Sequence, residues 1–142
     1  MVAWGMAANT RFATGVHAMV LLAAEPESLQ TSEEIARKLH INPVVVRRVF
    51  ALLHRAGLLD SQKGPHGGSR LSRSAKQITL ADIYKALDGG ELYREADFPG
   101  AHSAKVSAAL KKVFAAADRA MRDELEKTSL SQVARKAAKA KE

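Results

Sequence analysis

One stretch, TSEEIARKLHINPVVVRRVFALLHRAGLL (residues 31–59), constrains the fold more than any other. It holds two helix starts with almost no chain between them. Thr31 and Glu34 have capping-box spacing, in which each side chain satisfies the other residue's free backbone N–H. Ile35, Ala36 and Leu39 then give a short apolar face. Asn42 is a good N-cap, and Pro43 sits at the first helical position, where its missing N–H costs nothing. Val46, Val49, Leu53 and Ala56 fall on one face of this second helix, and Gly57 reads as the residue just past its end. Only LHINP is left to join the two, so they must meet through a tight turn, with Ile41 available as its apolar plug.

The flanks complete the pattern. Upstream, TRFATGVHAMVLLAAEP sets Phe12, Val16, Met19, Val20 and Ala23 at helical spacing. Downstream, Leu58 and Leu59 lead into QKGPHGGSRLS, and two short strands around a turn are the natural reading. ITLADIYKALDGG is a further short helix. Thr79 and Asp82 flank its first turn, Ile83, Ala86 and Leu87 form its face, and Gly89-Gly90 end it. ELYREADFPGAH has no periodicity and reads as a loop. A long helix follows, with Val106, Leu110, Val113, Ala117, Met121 and Leu125 stepping by three or four. TSLSQVARKAAKAKE adds a capped last helix that runs into a basic tail. The expected fold is mainly α with a small β-hairpin: a winged helix-turn-helix plus a long C-terminal helix. The expected boundaries are 9–90 for the winged unit, 91–102 for the loop, 103–127 for the long helix, and 128–142 for the short helix and tail.

In 142 residues with 46% hydrophobic content there is enough for one core, and the 5% aromatic content makes it an aliphatic one. The absence of cysteine excludes disulfides and thiolate-held zinc or iron–sulfur centres. No apolar run approaches the roughly 20 residues that span a bilayer. MVAWGMAANTR lacks a basic region followed by an apolar stretch, so a cytoplasmic protein with no membrane partner is expected. The net charge of +7 is unevenly placed: residues 31–76 carry nine basic and three acidic side chains, a net +6. Such a cluster favours a polyanionic partner.

The glycine-rich segment invites comparison with a phosphate-binding loop, and fails it. GPHGGSR has no lysine after its glycines, no helix starts at Ser69, and no βαβ unit surrounds it. As a hairpin tip it makes sense: the glycines allow close approach to a phosphodiester, with Lys63 on entry and Arg70 on exit. His66 stands at the tip. On the second short helix the forward residues are Asn42, Val44, Val45, Arg47 and Arg48. An arginine there can fork onto guanine O6 and N7 or reach a phosphate, and Val44 can meet a thymine methyl. Thr31, at the mouth of the first short helix, joins the candidate contacts. Taken singly, Arg47 and Arg48 are ordinary surface residues and Asn42 an ordinary cap; the turn spacing and the wing together make them a double-stranded DNA reader.

Catalytic chemistry finds no residues. The histidines at 17, 40, 54, 66 and 102 show no metal-ligand spacing, and His17 reads as a core or edge residue beside apolar neighbours. There is no Ser/His/Asp signature and no carboxylate pair in a plausible cleft, so no enzyme and no cofactor are expected. Trp4, Tyr84, Tyr93 and Phe98 are too scattered for a base-stacking platform.

The blocks NTRFATGVHAMVLLA, TSEEIARKLHINPVVVRRVFALLHRAGLL, KGPHGGSRLS and ITLADIYKALDGGELY, in that order and spacing, resemble the IscR/NsrR/CymR superfamily of bacterial transcriptional regulators over residues 9–135. The resemblance implies a homodimer in which the long helix packs across its mate through Val106, Leu110, Val113, Ala117, Met121 and Leu125. It also implies two recognition helices facing a palindromic operator, and a repressor's role. By position, Val44 and Arg47 match the family's major-groove contacts, Lys63 its minor-groove wing residue, and Thr10 and Arg11 a segment that approaches the backbone. One departure stands out. Several members hold an iron–sulfur cluster through cysteines before the long helix, and ELYREADFPGAHSAK has none. A signal, if there is one, would be a small molecule between the long helix and the winged unit, or a protein partner. Two other readings stay open: a regulator acting mainly through a protein bound at the acidic DGGELYREADFP loop, and an RNA-binding winged helix.

Overall fold

The computed structural model describes residues 3–88 and 98–140, with side chains described for 10–88 and 98–140. The elements run α1 (Ala3–Ala24), α2 (Ser32–Leu39), α3 (Pro43–Arg55), β1 (Leu59–Gln62), β2 (Gly68–Leu71), a 3-10 turn (Ala75–Gln77), α4 (Leu80–Asp88), α5 (Ala101–Glu126) and α6 (Leu130–Lys139). This is a mainly helical winged helix with one antiparallel hairpin, Leu59 opposite Leu71 and Gln62 opposite Gly68. The Gly89-Gly90 helix end and residues 91–97 of the expected loop lie outside the described residues.

Local chemistry accounts for the helix starts. Thr31 and Glu34 form the reciprocal capping box, Asn42 accepts from the Val44 N–H, and Thr79 and Asp82 bond each other's backbone. Ser129 and Gln132 repeat the capping box at α6. The core is aliphatic, built from Ala18, Met19 and Leu22 of α1, Ile35 and Ala36 of α2, Val46, Val49, Phe50 and Leu53 of α3, and Ile83 and Leu87 of α4. Leu130 at the start of α6 is fully buried in the same core, because α6 folds back onto α1 and the 3-10 turn. The crossing of α1 and α4 is tight. A Cβ on Gly15 would meet the end of the Leu87 side chain, which would have to shift to admit it.

Three expectations are corrected. Ile41 does not plug the turn; it is 36% exposed. The turn is made by backbone instead: His40 takes the left-handed conformation (φ 58°), and the Ile41 N–H bonds back to the Ala36 carbonyl at 3.0 Å. Ala56 is exposed, and Phe50 fills the core face of α3 in its place. His17 is exposed on the solvent side of α1 rather than packed.

Candidate nucleic-acid interface

Helix α3 buries Val46, Val49, Phe50 and Leu53, which follow the spacing of a single helical stripe. That stripe leaves Val44, Val45, Arg47 and Arg48 outside. Val44 and Val45 are each 40% exposed at the first turn of α3. They form an apolar spot with cations immediately behind it. Arg48 has no ion partner among the described residues. Arg47 does: its Nη1 donates to Oε2 of Glu33 on α2 at 2.8 Å. Asn42 is exposed, and its side-chain oxygen is taken by the cap.

Two residues hold the wing to the rest of the unit, one through its backbone and one through its side chain. Gln30, before α2, exchanges backbone hydrogen bonds with Ser69 at 2.9 and 2.8 Å, an isolated antiparallel bridge beside the hairpin. Gly68 sits against it with φ 147°, and a Cβ there would fall within 2.9 Å of the Gln30 backbone. The second link is His54 near the end of α3. Its Nδ1–H donates to the Leu59 carbonyl, and its Nε2 accepts from the Ser69 hydroxyl, both at 3.0 Å. Nothing in the sequence pattern marks Gln30 or His54 for this work, since Ser69, the partner they share, is distant from both in the chain. Beyond these links Lys63, Gly64, Pro65 and His66 are exposed. Arg70 is half-buried within β2, opposite Asp60, so it lies along the strand and not at the tip.

The other candidates fall elsewhere. Thr10 is exposed on α1. Arg11 is tied to Asp88 of α4, with Nε at 3.0 Å and Nη2 at 2.5 Å from the same carboxylate oxygen. Thr31 is half-buried and its hydroxyl is spent on the Glu34 cap.

Helix α5 has no buried residue. Its stripe divides in two: Val106, Leu110 and Val113 are 44%, 44% and 61% exposed, while Ala117, Met121 and Leu125 are half-buried. It packs on α4. At that junction Arg122 pairs with Asp118 at 2.7 Å and lies 5.2 Å over the Tyr84 ring, which meets Phe12 edge-on at 5.5 Å. Burial pushes the Tyr84 hydroxyl above the ordinary tyrosine range, and the Asp118 carboxylate adds to the shift.

A family profile described as "Rrf2: Iron-dependent Transcriptional regulator" matches residues 8–136. The Bacillus subtilis (strain 168) protein YwnA, named as an HTH-type transcriptional regulator, is 34% identical over 129 residues, covering 88% of this chain and 95% of its own. Among solved structures, Staphylococcus aureus CymR is similar at 28% identity with a TM-score of 0.66, covering 88% of this chain and 95% of that one. IscR from T. potens shares the fold, with a TM-score of 0.69 at 24% identity over 94% of this chain and 90% of that one. The profile's description invokes iron. This chain has no cysteine, and among the described residues no group of three or more His, Asp or Glu side chains converges as metal ligands. A cluster held by thiolates does not fit these residues.

Proposed function

Because the chain belongs to the Rrf2 family of transcriptional regulators, we propose that it reads double-stranded DNA as a homodimer and represses by occupying a palindromic operator. The observation that carries this reading is the outer face of α3. Four side chains at its N-terminal half, Val44, Val45, Arg47 and Arg48, are exposed while the opposite face is buried in the core. A helix so mounted presents apolar contacts for thymine methyls and forked donors for guanine or phosphate. Lys63 and His66 extend the same chemistry from the wing, suited to a minor groove or its phosphates.

Dimerisation rests on a separate observation. Helix α5 is 26 residues long, buries none of them, and leaves Val106, Leu110 and Val113 open. Packing this stripe against its copy removes the apolar surface from water and sets two α3 helices at a fixed spacing. The repressor's role follows from coverage: a dimer seated on its operator excludes other proteins. A signal would reach it as a small molecule or a protein, because the thiolates a cluster needs are absent. No helix among the described residues is long and apolar enough to cross a membrane.

Selection of bound duplexes from a random pool tests the reading. A palindrome with two half-sites is the expected result, with affinity falling steeply as salt rises. Equal competition by RNA at the same salt would favour the RNA-binding alternative, and an unenriched pool would refute sequence reading. The acidic loop that a protein-directed regulator would use falls largely in residues 91–97, outside the described residues.

A further inference from the structure

Glu33 is the acid that stands out within the basic segment. Of the three carboxylates in residues 31–76, Glu34 is spent on the α2 cap and Asp60 lies opposite Arg70 in the wing. Glu33 reaches instead to the recognition helix, fourteen positions away, and holds Arg47 at 2.8 Å. Both partners are more than half exposed, so the pair adds little to folding. Its position suits another purpose.

The carboxylate is anchored without help from the arginine. It lies in the first turn of α2, where the helix dipole favours an anion, and its other oxygen accepts from the Ser32 hydroxyl at 3.2 Å. A hydrogen bond from its own backbone N–H and the Ser32 hydroxyl hold it below the usual carboxylate range, with Arg47 contributing less. Arg47 therefore docks on a charge already in place. The contact uses Nη1 alone. In a guanidinium, Nε–H and the Nη2–H beside it form the other edge, and on Arg47 neither has a partner among the described residues. That edge is the one able to take guanine O6 and N7 together.

We propose that Glu33 is a positioning residue for base recognition: it fixes Arg47 by one nitrogen, leaves the Nε/Nη2 edge for a base, and repels phosphates wherever Arg47 finds no base. An arginine so held loses less side-chain freedom on binding. A carboxylate beside it weakens sequence-independent attraction to the duplex, which is a specificity device. The inference rests on the DNA reading above.

The test compares wild type, Glu33→Gln, Arg47→Ala and the double variant. Each is titrated with the duplex that wild type selects, its single-base variants and a random duplex, at one salt concentration. Glu33→Gln is expected to lose about three- to fivefold in discrimination at one symmetric pair of positions, the size of an exposed ion-pair coupling. It should also bind the random duplex more tightly. In the Arg47→Ala background the same change should leave discrimination untouched and still tighten random binding. Unchanged discrimination in Glu33→Gln, or an equal loss in the Arg47→Ala background, overturns the inference alone. A wild type that prefers no duplex overturns the DNA reading and the inference together.

Discussion

Asn42 and His54 show how single side chains hold α3 at its two ends. Asn42 caps α3 at the Val44 N–H, at 2.9 Å. Asn42→Ala should therefore destabilise the protein by about 1 kcal/mol, read as a lower urea midpoint with an unchanged slope. His54 bridges α3 to both wing strands. His54→Leu keeps the bulk but leaves the Leu59 carbonyl and Ser69 hydroxyl unpaired. A loss of about 1–3 kcal/mol is expected by the same measurement. At this scale the sequence was legible where the chemistry is local. Thr31 with Glu34, and Asn42 with Pro43, could be read directly because their partners lie within a few residues. Ile41, Ala56 and His17 were misread because their burial depends on what packs against them. The Glu33–Arg47 pair and the Gln30–Ser69 bridge were illegible because they depend on the angle of a turn that sequence spacing leaves open.

Among the elements, α2 to α4 and the hairpin were readable from periodicity and caps, α1 was read only from Thr10 although the helix begins at Ala3, and α5 was found within two residues at each end. How α5 joins the rest was not. Tyr84, one of four aromatics that looked scattered, turns out to be buried between Phe12 and Arg122 at that joint. A buried tyrosine hydroxyl with a raised pKa binds its proton more tightly folded than unfolded. Its contribution to stability is full below the ordinary tyrosine value near pH 10 and falls as pH rises through the raised one. Wild type should thus lose stability between about pH 9 and 11 more steeply than Tyr84→Phe, by urea midpoints across that range. Parallel curves for the two would show that the Tyr84 proton is not linked to folding.

For the whole molecule, charge and apolar exposure fall on different elements. The net +6 of residues 31–76 covers the helix-turn-helix and wing, while the exposed apolar stripe lies on α5. Val113 is 61% exposed in the single chain. Val113→Asp should leave the monomer fold intact by circular dichroism yet convert a dimer to a monomer in sedimentation. A variant that stays dimeric would place the twofold contact elsewhere. The central claim, that the outer face of α3 reads base pairs, is tested most directly by repeating the duplex selection with Arg47→Ala. Wild type should enrich a palindrome, and the variant should lose preference at one symmetric pair of positions, at a cost of about 1–3 kcal/mol, while keeping the rest. An identical preferred sequence, bound equally well by Arg47→Ala, would contradict it.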